Sequence, residues 1–289
     1  MNVFSILTLG PAGSFSDQAA RYVTKMLGIG ENRIEYTAPN EKVVSQTLEN
    51  LGRYMAVVPF ETTGRGLVPE VVGELLVGLE KRPKIYAEVI MPIEQCFAYK
   101  GDRSRIRTVV THQQSVAQCR NYLKRLTTEN PNIKIETVPS NSLAMEMAAK
   151  DDTVAAIGPR LAAELNGLKN VEYGIQDSKN NETRFIAIHD KDNGTPTGND
   201  KTTLVYQVAN KPAALDNAIG VFGRRGLNKS GQHSIATGMR LGEYLQLTEV
   251  EAHRENPVMQ RALRELEEEW ALPGSIYIFG SYPKHMNGR

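Results

Sequence analysis

Residues 174–188, GIQDSKNNETRFIAI, join a polar turn to an apolar run that is typical of a β-strand. Thr183 and Arg184 stand at the junction between the two. A hydroxyl and a guanidinium side by side at the mouth of a strand favour an anionic, oxygen-rich ligand. The alternative is a solvated turn that merely exposes both side chains. The rest of the chain has to decide between these interpretations.

The composition excludes several classes of partner. The chain has 289 residues, enough for two domains with cores of their own, and 34 Lys+Arg against 33 Asp+Glu give a net charge of +1. Such a balance provides no field that would gather nucleic acid or an anionic membrane. The N-terminus lacks a basic region and a cleavage site, and no apolar stretch reaches the length of a membrane span. We therefore expect a cytoplasmic protein.

The two cysteines, Cys96 and Cys119, lie in apolar or helical contexts without a CxxC motif. No histidine stands near them at the spacing of a metal site. We expect buried free thiols, no disulfide and no metal.

The first two thirds of the chain repeat the order strand, polar turn, helix. Strands are predicted at 5–9, 54–60 and 105–110, and each precedes a turn rich in Gly, Ser, Thr or Gln and then an apolar stripe at helical spacing. Further strands and helices alternate up to the opening stretch, which predicts an α/β body of about 190 residues. Because ligands of open α/β sheets lie beyond the carboxyl ends of the strands, these turns together with Thr183 and Arg184 favour a small polyanion in a cleft.

A second unit follows a polar segment at 190–200 that has the composition of a linker. Strands are predicted at 202–208, 227–235, 242–248 and 275–280, and helices at 212–222 and 258–269. The order βαββαβ predicts a ferredoxin-like unit.

Seven segments, in this order and at this spacing, give the chain a resemblance to the prephenate dehydratases over nearly its whole length. They are GPAGSFS at 10–16, VVPFE at 57–61, THQQSVAQC at 111–119, AAI at 155–157, LAAELNGL at 161–168, the stretch from IQD to TRF at 175–185, and GSYP at 280–283. The resemblance implies a two-lobed, periplasmic-binding-protein-like catalytic domain with a cleft over 1–190. Lobe one would span about 1–80 and 168–190, and lobe two about 81–167. It further implies an ACT regulatory domain over 201–283 and a homodimer or homotetramer.

The family that the chain resembles converts prephenate to phenylpyruvate in phenylalanine biosynthesis. Carbon dioxide leaves, its bonding electrons pass through the diene, and the 4-hydroxyl departs as water while the ring becomes aromatic. This path needs no metal and no cofactor, and the resemblance implies none. It does need anchors for two carboxylates and a hydrogen-bond donor at the departing hydroxyl.

The resemblance implies two catalytic residues, Thr183 and Glu61. The family places the Thr of the Thr-Arg-Phe motif at the departing hydroxyl. A Thr hydroxyl is a weak acid, so we interpret Thr183 as a preorganised donor that can relay a proton from water or a neighbour. Glu61 would orient Thr183 or the leaving hydroxyl, the alternative being a surface or capping carboxylate.

Five further residues are implied as substrate contacts: Ser14, Thr62, Thr111, Gln118 and Arg184. Gln118 would otherwise be an ordinary solvated helix residue. Arg184 could bind a substrate carboxylate or hold the loop through Asp177, and the sequence leaves both open. His112 matches a family histidine but is equally well explained by a structural role.

The chain departs from the family pattern at three places. Thr62 stands where the family commonly has Asn, and the Ser/Thr pair of another turn reads Ser142-Leu143. In the ACT unit the effector segments Gly-Ala-Leu and Glu-Ser-Arg-Pro read Ala213-Ala214-Leu215 and His233-Ser234-Ile235-Ala236. The loss of a charged pair at His233 and Ile235 predicts an ACT unit that binds L-phenylalanine weakly, or binds something else.

Two other functions fit parts of the sequence. A non-aromatising prephenate decarboxylase of secondary metabolism would be expected to lack the leaving-group donor, whereas Thr183 is retained. A non-enzymatic metabolite-sensing ACT protein would need an output segment, and neither a DNA-binding segment nor a basic patch accompanies the cleft. The sequence does not tell whether arogenate is accepted.

Overall fold

The computed structural model describes residues 5–238 and 240–284 and the backbone of residues 286–287. The strands are β1 (Ser5–Leu9), β2 (Ile34–Thr37), β3 (Tyr54–Thr62), β4 (Gly66–Leu67), β5 (Lys84–Pro92), β6 (Gln95–Tyr99), β7 (Thr108–Thr111), β8 (Lys134–Thr137), β9 (Val154–Pro159), β10 (Asn170–Tyr173), β11 (Glu182–His189), β12 (Asp200–Gln207), β13 (Lys229–Ala236), β14 (Tyr244–Val250), β15 (Tyr277–Pro283) and β16 (Met286–Asn287). The helices are α1 (Phe15–Leu27), α2 (Asn40–Glu49), α3 (Pro69–Val77), α4 (Gln113–Gln118), α5 (Arg120–Glu129), α6 (Asn141–Lys150), α7 (Arg160–Leu165), α8 (Ala214–Arg224) and α9 (Pro257–Glu265).

The first sheet has the order β16-β5-β11-β3-β1-β2, and β4 pairs with β3. Strands β1, β2 and β3 are parallel, whereas β11 runs antiparallel to both β3 and β5. Helix α1 packs on one face through Ala19 and Val23. Helices α2 and α3 pack on the other face through Val44 and Leu75. The mixed α/β class predicted from the alternating pattern is confirmed.

The second sheet has the order β10-β6-β9-β7-β8. Strand β5 belongs to the first sheet and β10 to the second, so the chain crosses between lobes at 93–94 and again at 174–181. The predicted lobe boundaries at about 81 and 168 are wrong in this detail. Apolar alternation reveals a strand but not the sheet in which it pairs.

The third sheet is antiparallel throughout, with the order β13-β14-β12-β15. Helices α8 and α9 cover one face through Phe222 and Met259. The opposite face packs on the first sheet, because Leu247 and Phe279 share a core with Ile85. The C-terminal unit is thus fixed to the first lobe by a continuous apolar interface.

Two local differences from the predicted elements concern the candidate site. Strand β11 begins at Glu182, so Thr183 and Arg184 lie inside a paired strand and not in a turn before it. The apolar stripe at helical spacing after the third predicted strand belongs to two helices, α4 and α5, and Asp177 accepts hydrogen bonds from the Arg120 and Asn121 amides at the start of the second. A cap from the second crossing segment therefore divides the helical stripe.

Cys96 and Cys119 are buried and free, and burial raises the pKa of each thiol to about 12. In the described part of the chain, no three His, Cys, Asp or Glu side chains are grouped so that they could hold a metal ion. Over the same residues, none of the helices combines the length and apolarity that a bilayer crossing requires.

Candidate active site

The end of β3 and the start of β11 form the centre of the candidate site. Thr183 pairs directly with Thr62, and Arg184 pairs with Glu61. The register then shifts, because Phe185 pairs with Pro59 and one residue of β3 is left over. Directly opposed side chains of an antiparallel pair share a face, and a bulge redirects the strand that contains it. The bulge thus brings Glu61 to the face of Arg184 and Thr62 to the face of Thr183.

Thr183 and Thr62 share the face of the first sheet on which α1 packs. Phe185 and Ala187, two and four residues after Thr183, belong to the core that contains α1. The Thr183 side chain is 8% exposed, and within the described residues neither hydroxyl has a hydrogen-bond partner. A hydroxyl that is nearly buried without a partner has its donor available for a ligand.

The opposite face of the same strand pair holds a dense charge cluster. Arg184 is 6% exposed and donates to three carboxylates: Nε and Nη2 to Glu61 at 3.1 and 2.8 Å, Nη1 to Glu88 at 3.1 Å, and Nη1 and Nη2 to Glu249 at 2.7 and 3.0 Å. Its guanidinium also lies 4.9 Å from the Phe60 ring centroid. Arg184 is therefore engaged on the face turned away from Thr183.

A second cation completes this cluster. Lys201 Nζ donates to the fully buried Glu88 at 2.8 Å. Burial by itself disfavours the charged form of Arg184, but the Glu249 carboxylate and its neighbours outweigh burial and raise the Arg184 pKa above its ordinary value. The alternative in which Arg184 holds the loop through Asp177 is wrong, because Asp177 accepts from the amides of α5 and Arg184 binds three glutamates. The substrate contact by Arg184 and the catalytic role of Glu61 stay predictions.

The turn after β1 lies at the carboxyl end of that strand and leads into α1. Ser14 is the N-cap of α1: its Oγ accepts from the Asp17 amide at 3.1 Å and donates to the Leu9 carbonyl at 3.3 Å. The Asp17 carboxylate accepts from the Gly13 amide at 2.7 Å. Gly13 has φ +83°, and a Cβ there would lie 2.9 Å from Ala162 Cα of the second lobe. This turn therefore touches both lobes, and the Ser14 hydroxyl is engaged within it.

The carboxyl end of β7 supplies the second lobe's part of the candidate site. Thr111 is fully buried, and its hydroxyl lies 2.9 Å from the Ile157 carbonyl and 3.2 Å from Asn141 Oδ1. Asn141 Oδ1 also accepts from the His112 amide at 2.9 Å, and Asn141 Nδ2 donates to Ser115 Oγ at 2.9 Å. Thr111 supports the turn in this conformation, so its role as a substrate contact stays a prediction. His112 is the N-cap of α4, which agrees with a structural role.

Gln118 lies where the two lobes join. Its side-chain oxygen accepts from Gln95 Nε2 at 2.9 Å, and its backbone carbonyl accepts from the Asp177 amide at 2.7 Å. The Gln95 amide in turn donates to Gln176 Oε1 at 3.0 Å. Both crossing segments therefore meet at Gln118, and Gln95 turns the Gln118 side chain so that its NH2 group is the end available to a ligand.

The structure thus brings the predicted residues together in separate groups. Thr183 and Thr62 form one pair and Glu61 and Arg184 another. Sequence reasoning missed four residues that organise the site: Asn141, Gln95, Glu88 and Glu249. Only the last two carry a signal in the sequence, since each is a carboxylate flanked by apolar or neutral residues within a strand.

The residues predicted to bind an effector lie on two elements of the C-terminal unit. Ala213 is the N-cap of α8 and has φ +58°, in the left-handed region, where the family pattern has glycine. Ala214 is buried and Leu215 is 44% exposed on the first turn of the helix. His233 and Ser234 lie on β13, where Ser234 donates to Gln246 Oε1 at 2.8 Å. Effector binding by these residues stays a prediction.

Two cavities lie outside the Thr183–Thr62 and Glu61–Arg184 pairs. One of about 370 Å³ is lined by Tyr122, Tyr173 and Asp177 on the second lobe. The other, of about 440 Å³, is lined by Asp200, Glu251 and His253 on the C-terminal unit. Neither contains Thr183 or Thr62, so we identify the candidate site by its hydrogen-bonding groups and not by cavity volume.

A family model for prephenate dehydratase matches residues 6–193. A curated prephenate dehydratase from Methanocaldococcus jannaschii is 32% identical over 98% of this chain and 99% of its own length. A bifunctional chorismate mutase/prephenate dehydratase from Aquifex aeolicus is 30% identical over 96% of this chain and 72% of its own length.

Two solved structures share the fold at somewhat lower identity. The prephenate dehydratase of Arthrobacter aurescens in complex with L-Phe has a TM-score of 0.78 and 28% identity, with coverage of 97% of this chain and 90% of that one. GqqA, described as a novel type of quorum quenching acylase, has a TM-score of 0.80 and 26% identity, with coverage of 96% and 97%. The fold alone therefore occurs with two named activities.

Proposed function

Because the chain belongs to the prephenate dehydratase family, we propose that it converts prephenate to phenylpyruvate with loss of carbon dioxide and water, at the site built around Thr183. The observation that carries this placement is the Thr183–Thr62 pair, two opposed hydroxyls without a hydrogen-bond partner in the described residues. The reaction needs a hydrogen-bond donor at the departing hydroxyl. Thr183 is nearly buried and lies beside Thr62, at the carboxyl end of β3.

The chemical step is a single flow of electrons. The bond from the ring to the carboxylate breaks, its electron pair moves through the ring, and the bond to the 4-hydroxyl breaks as that oxygen takes up a proton. Thr183 donates to the departing oxygen, and water or a neighbouring donor supplies the proton that Thr183 passes on. Such a preorganised donor is worth about 10²–10³ in turnover when it is removed.

The two substrate carboxylates require donors from both lobes. The turn at 10–14 lies at the N-terminus of α1, where backbone amides and the helix dipole favour an anion. Gln118 offers its NH2 group from the side where the lobes join. Glu61 acts indirectly in this proposal, because its carboxylate holds Arg184, the neighbour of Thr183.

The decisive experiment is incubation of the purified protein with prephenate and measurement of phenylpyruvate by its absorbance. Appearance of phenylpyruvate supports the proposal. Consumption of prephenate with release of carbon dioxide but without an aromatic product would identify the non-aromatising decarboxylase instead. No consumption would leave the metabolite-sensing function. A parallel incubation with arogenate tests whether the amino group is tolerated.

A second candidate activity comes from the likeness to the quorum quenching acylase GqqA. Acyl transfer by a hydroxyl nucleophile requires an adjacent base, most often histidine. In the described residues, none of Thr183, Thr111 and Ser115 hydrogen-bonds to a histidine. An acylase assay on the same preparation is nonetheless the appropriate comparison, and acylase turnover without phenylpyruvate formation would overturn our proposal.

We further propose that the C-terminal unit is an ACT-type regulatory domain in a cytoplasmic homodimer or homotetramer. The βαββαβ order and the sheet order β13-β14-β12-β15 support the domain type, and β13 pairs on one side only within the described residues, which leaves an edge for a second copy. The complex of the Arthrobacter aurescens enzyme with L-Phe makes that amino acid the first effector to test. Calorimetric titration with L-phenylalanine should show weak binding or none, and tight binding with inhibition would contradict the expectation from the altered segments.

A further inference from the structure

The charge cluster behind β11 joins the candidate site to the C-terminal unit through single residues. Arg184 follows Thr183 directly, and successive side chains of a strand point to opposite faces. All five hydrogen bonds of the Arg184 guanidinium go to carboxylates on that opposite face. Whatever holds the Arg184 side chain therefore also holds the segment of backbone from which the Thr183 hydroxyl projects.

Two of these five bonds come from Glu249 on β14, which belongs to the third sheet. Glu249 is 2% exposed, so its carboxylate is held away from water. Thr203 Oγ1 donates to Glu249 Oε1 at 3.3 Å and lies 2.6 Å from the Tyr282 hydroxyl. Opposite Glu249 stands Gly231, where a Cβ would lie 2.7 Å from Glu249 Oε2. Thr203 and Gly231 of the C-terminal unit thus fix the position of the Glu249 carboxylate, the first by a hydrogen bond and the second by leaving room for it.

Both units contribute one buried carboxylate and one buried cation to the cluster, and the ion pairs cross between the units. The buried carboxylates are Glu88 of the first sheet and Glu249 of the third, and the buried cations are Arg184 of the first sheet and Lys201 of the third. Removal of Glu249 would leave Arg184 to share Glu88 with Lys201 and to rely on the more exposed Glu61. A charged group in a dry interface that loses a partner shifts toward the remaining ones.

We infer that Glu249 is a positioning residue for the reaction, because through Arg184 it fixes the strand that presents Thr183. This inference rests on the proposed function. It assigns to the C-terminal unit a contribution to turnover that operates without any effector. A displacement of about 1 Å at a reacting group can cost about 10²-fold in rate, and we expect a tenfold or greater loss of kcat when the Glu249 carboxylate is replaced.

The test compares Glu249→Gln with Tyr277→Phe. The control also removes an interaction between the C-terminal unit and the first lobe, since the Tyr277 hydroxyl donates to the Pro83 carbonyl at 2.6 Å, but it leaves the Arg184 cluster intact. We expect kcat to fall at least tenfold in Glu249→Gln, with KM changed less than threefold, and both constants to stay within twofold of wild type in Tyr277→Phe. Unchanged kcat in Glu249→Gln, or an equal loss in both variants, would overturn the inference.

Hydrogen exchange provides a readout that does not depend on activity. Peptides that cover residues 182–186 should exchange faster in Glu249→Gln than in wild type, and at the wild-type rate in Tyr277→Phe. Equal exchange of residues 182–186 in all three proteins would overturn the inference, whether or not prephenate is the substrate. If the wild type did not convert prephenate but Glu249→Gln still exchanged faster, only the proposed function would be overturned.

A milder variant covers the case in which Glu249→Gln does not fold. Thr203→Val removes one donor to Glu249 and leaves every charge in place. We expect a loss of kcat in the same direction, about two- to fivefold, together with faster exchange of residues 182–186. Wild-type kcat and exchange in a folded Thr203→Val protein would count against Glu249 as a positioning residue.

Discussion

Thr183 and Arg184 are neighbours on one strand, but their side chains lie on opposite faces of the sheet and differ in how far they are hydrogen-bonded to the protein. On the α1 face, the Thr183 and Thr62 hydroxyls have no hydrogen-bond partner in the described residues. On the other face, Arg184 donates to three carboxylates, and Lys201 shares one of them. The hydroxyls on the α1 face are thus available to a ligand, whereas the Arg184 guanidinium on the other face is already hydrogen-bonded to protein carboxylates.

The contrast separates a ligand site from a structural cluster without reference to residue type. Charged side chains are the usual first candidates for an anion site, but a guanidinium that is already bound by carboxylates offers an incoming carboxylate little. The Thr183 hydroxyl has no hydrogen-bond partner in the described residues, so a ligand can accept its hydrogen bond without displacing a protein group. At this strand the weaker donor is thus the better candidate for contact with the substrate.

The largest effect should come from the face with unused donors. Thr183→Val keeps the shape and the strand preference of the side chain and removes its hydroxyl. We expect kcat for prephenate to fall about 10²–10³-fold, because the departing oxygen loses its donor. The midpoint of urea unfolding should change little, since no bond of this hydroxyl within the described protein is lost.

Thr183→Ser is the matched control for this variant. It restores the hydroxyl on a slightly less restricted side chain, so kcat should return to within about tenfold of wild type. If the Val and Ser variants were equally active, the unused hydroxyl would have no role in turnover and the comparison of the two faces would lose its functional meaning.

Variants on the face that holds the Arg184 cluster should lower the free energy of unfolding. Glu88→Gln keeps the size of a fully buried side chain but removes the charge that Lys201 and Arg184 share. Removing one partner of a buried pair leaves an uncompensated charge, and we expect the free energy of unfolding to fall by about 3 kcal/mol. Urea unfolding of both proteins, followed by circular dichroism, measures this difference.

Glu61→Gln serves as the control at the exposed edge of the same cluster. The Glu61 side chain is 39% exposed although it also binds Arg184, so its loss should cost less than about 1 kcal/mol. An equal loss of unfolding free energy in Glu88→Gln and Glu61→Gln would show that the energetic contribution of each carboxylate does not depend on its burial.

Lys84 lies at the same interface, and within the described residues it is a cation that forms no ion pair with a carboxylate. Its Nζ donates to the Ile278 carbonyl at 2.5 Å and lies 4.4 Å from the Tyr277 ring centroid. Burial, with Arg254 and Arg82 nearby, lowers its pKa from 10.5 to about 8. Between these two values the unfolded chain binds more protons than the folded one, so this lysine makes stability rise with pH from about 8 to 10.5.

We therefore expect Lys84→Met to remove part of the gain in unfolding free energy that the wild type shows between pH 7.5 and pH 9.5. Lys81→Met, at an exposed position three residues earlier, should retain the wild-type pH dependence. The measurement is urea unfolding at both pH values. A wild-type gain in Lys84→Met would mean that the lysine is solvated at the interface.

How much of this could be predicted from sequence depends on how far apart the contacting residues are. The alternation of strand, turn and helix is a local pattern, and it predicted the α/β class and placed Thr183 at the end of a strand. The contacts of Arg184 with Glu249 and of Lys201 with Glu88 join residues 65 and 113 positions apart. Periodicity contains no information about such pairs, so the role of Arg184 stayed open.

The bulge in β3 shows the same limit at short range. Strict alternation would place Glu61 and Phe60 on opposite faces, whereas the extra residue brings Glu61 to the face of Arg184. Pro59 in a central strand indicates a bulge nearby, since proline is otherwise confined to the edges and starts of strands, but it does not indicate which residue is left unpaired. By contrast, the left-handed backbone at Ala213 could have been suspected, because the family pattern has glycine at that position.

Ala213 is strained in its backbone, and its substitution should give the smallest of the expected effects. A residue with a Cβ at φ +58° costs about 1–2 kcal/mol, and the greater freedom of glycine in the unfolded chain offsets part of that cost. We expect Ala213→Gly to raise the free energy of unfolding by about 0.5–1 kcal/mol. Ala214→Gly, at the first residue of α8, should lower it by up to about 1 kcal/mol, since glycine is less favourable than alanine in a helix. Urea unfolding of the two variants measures both signs, and a loss of stability in each would show that the backbone at Ala213 is not strained.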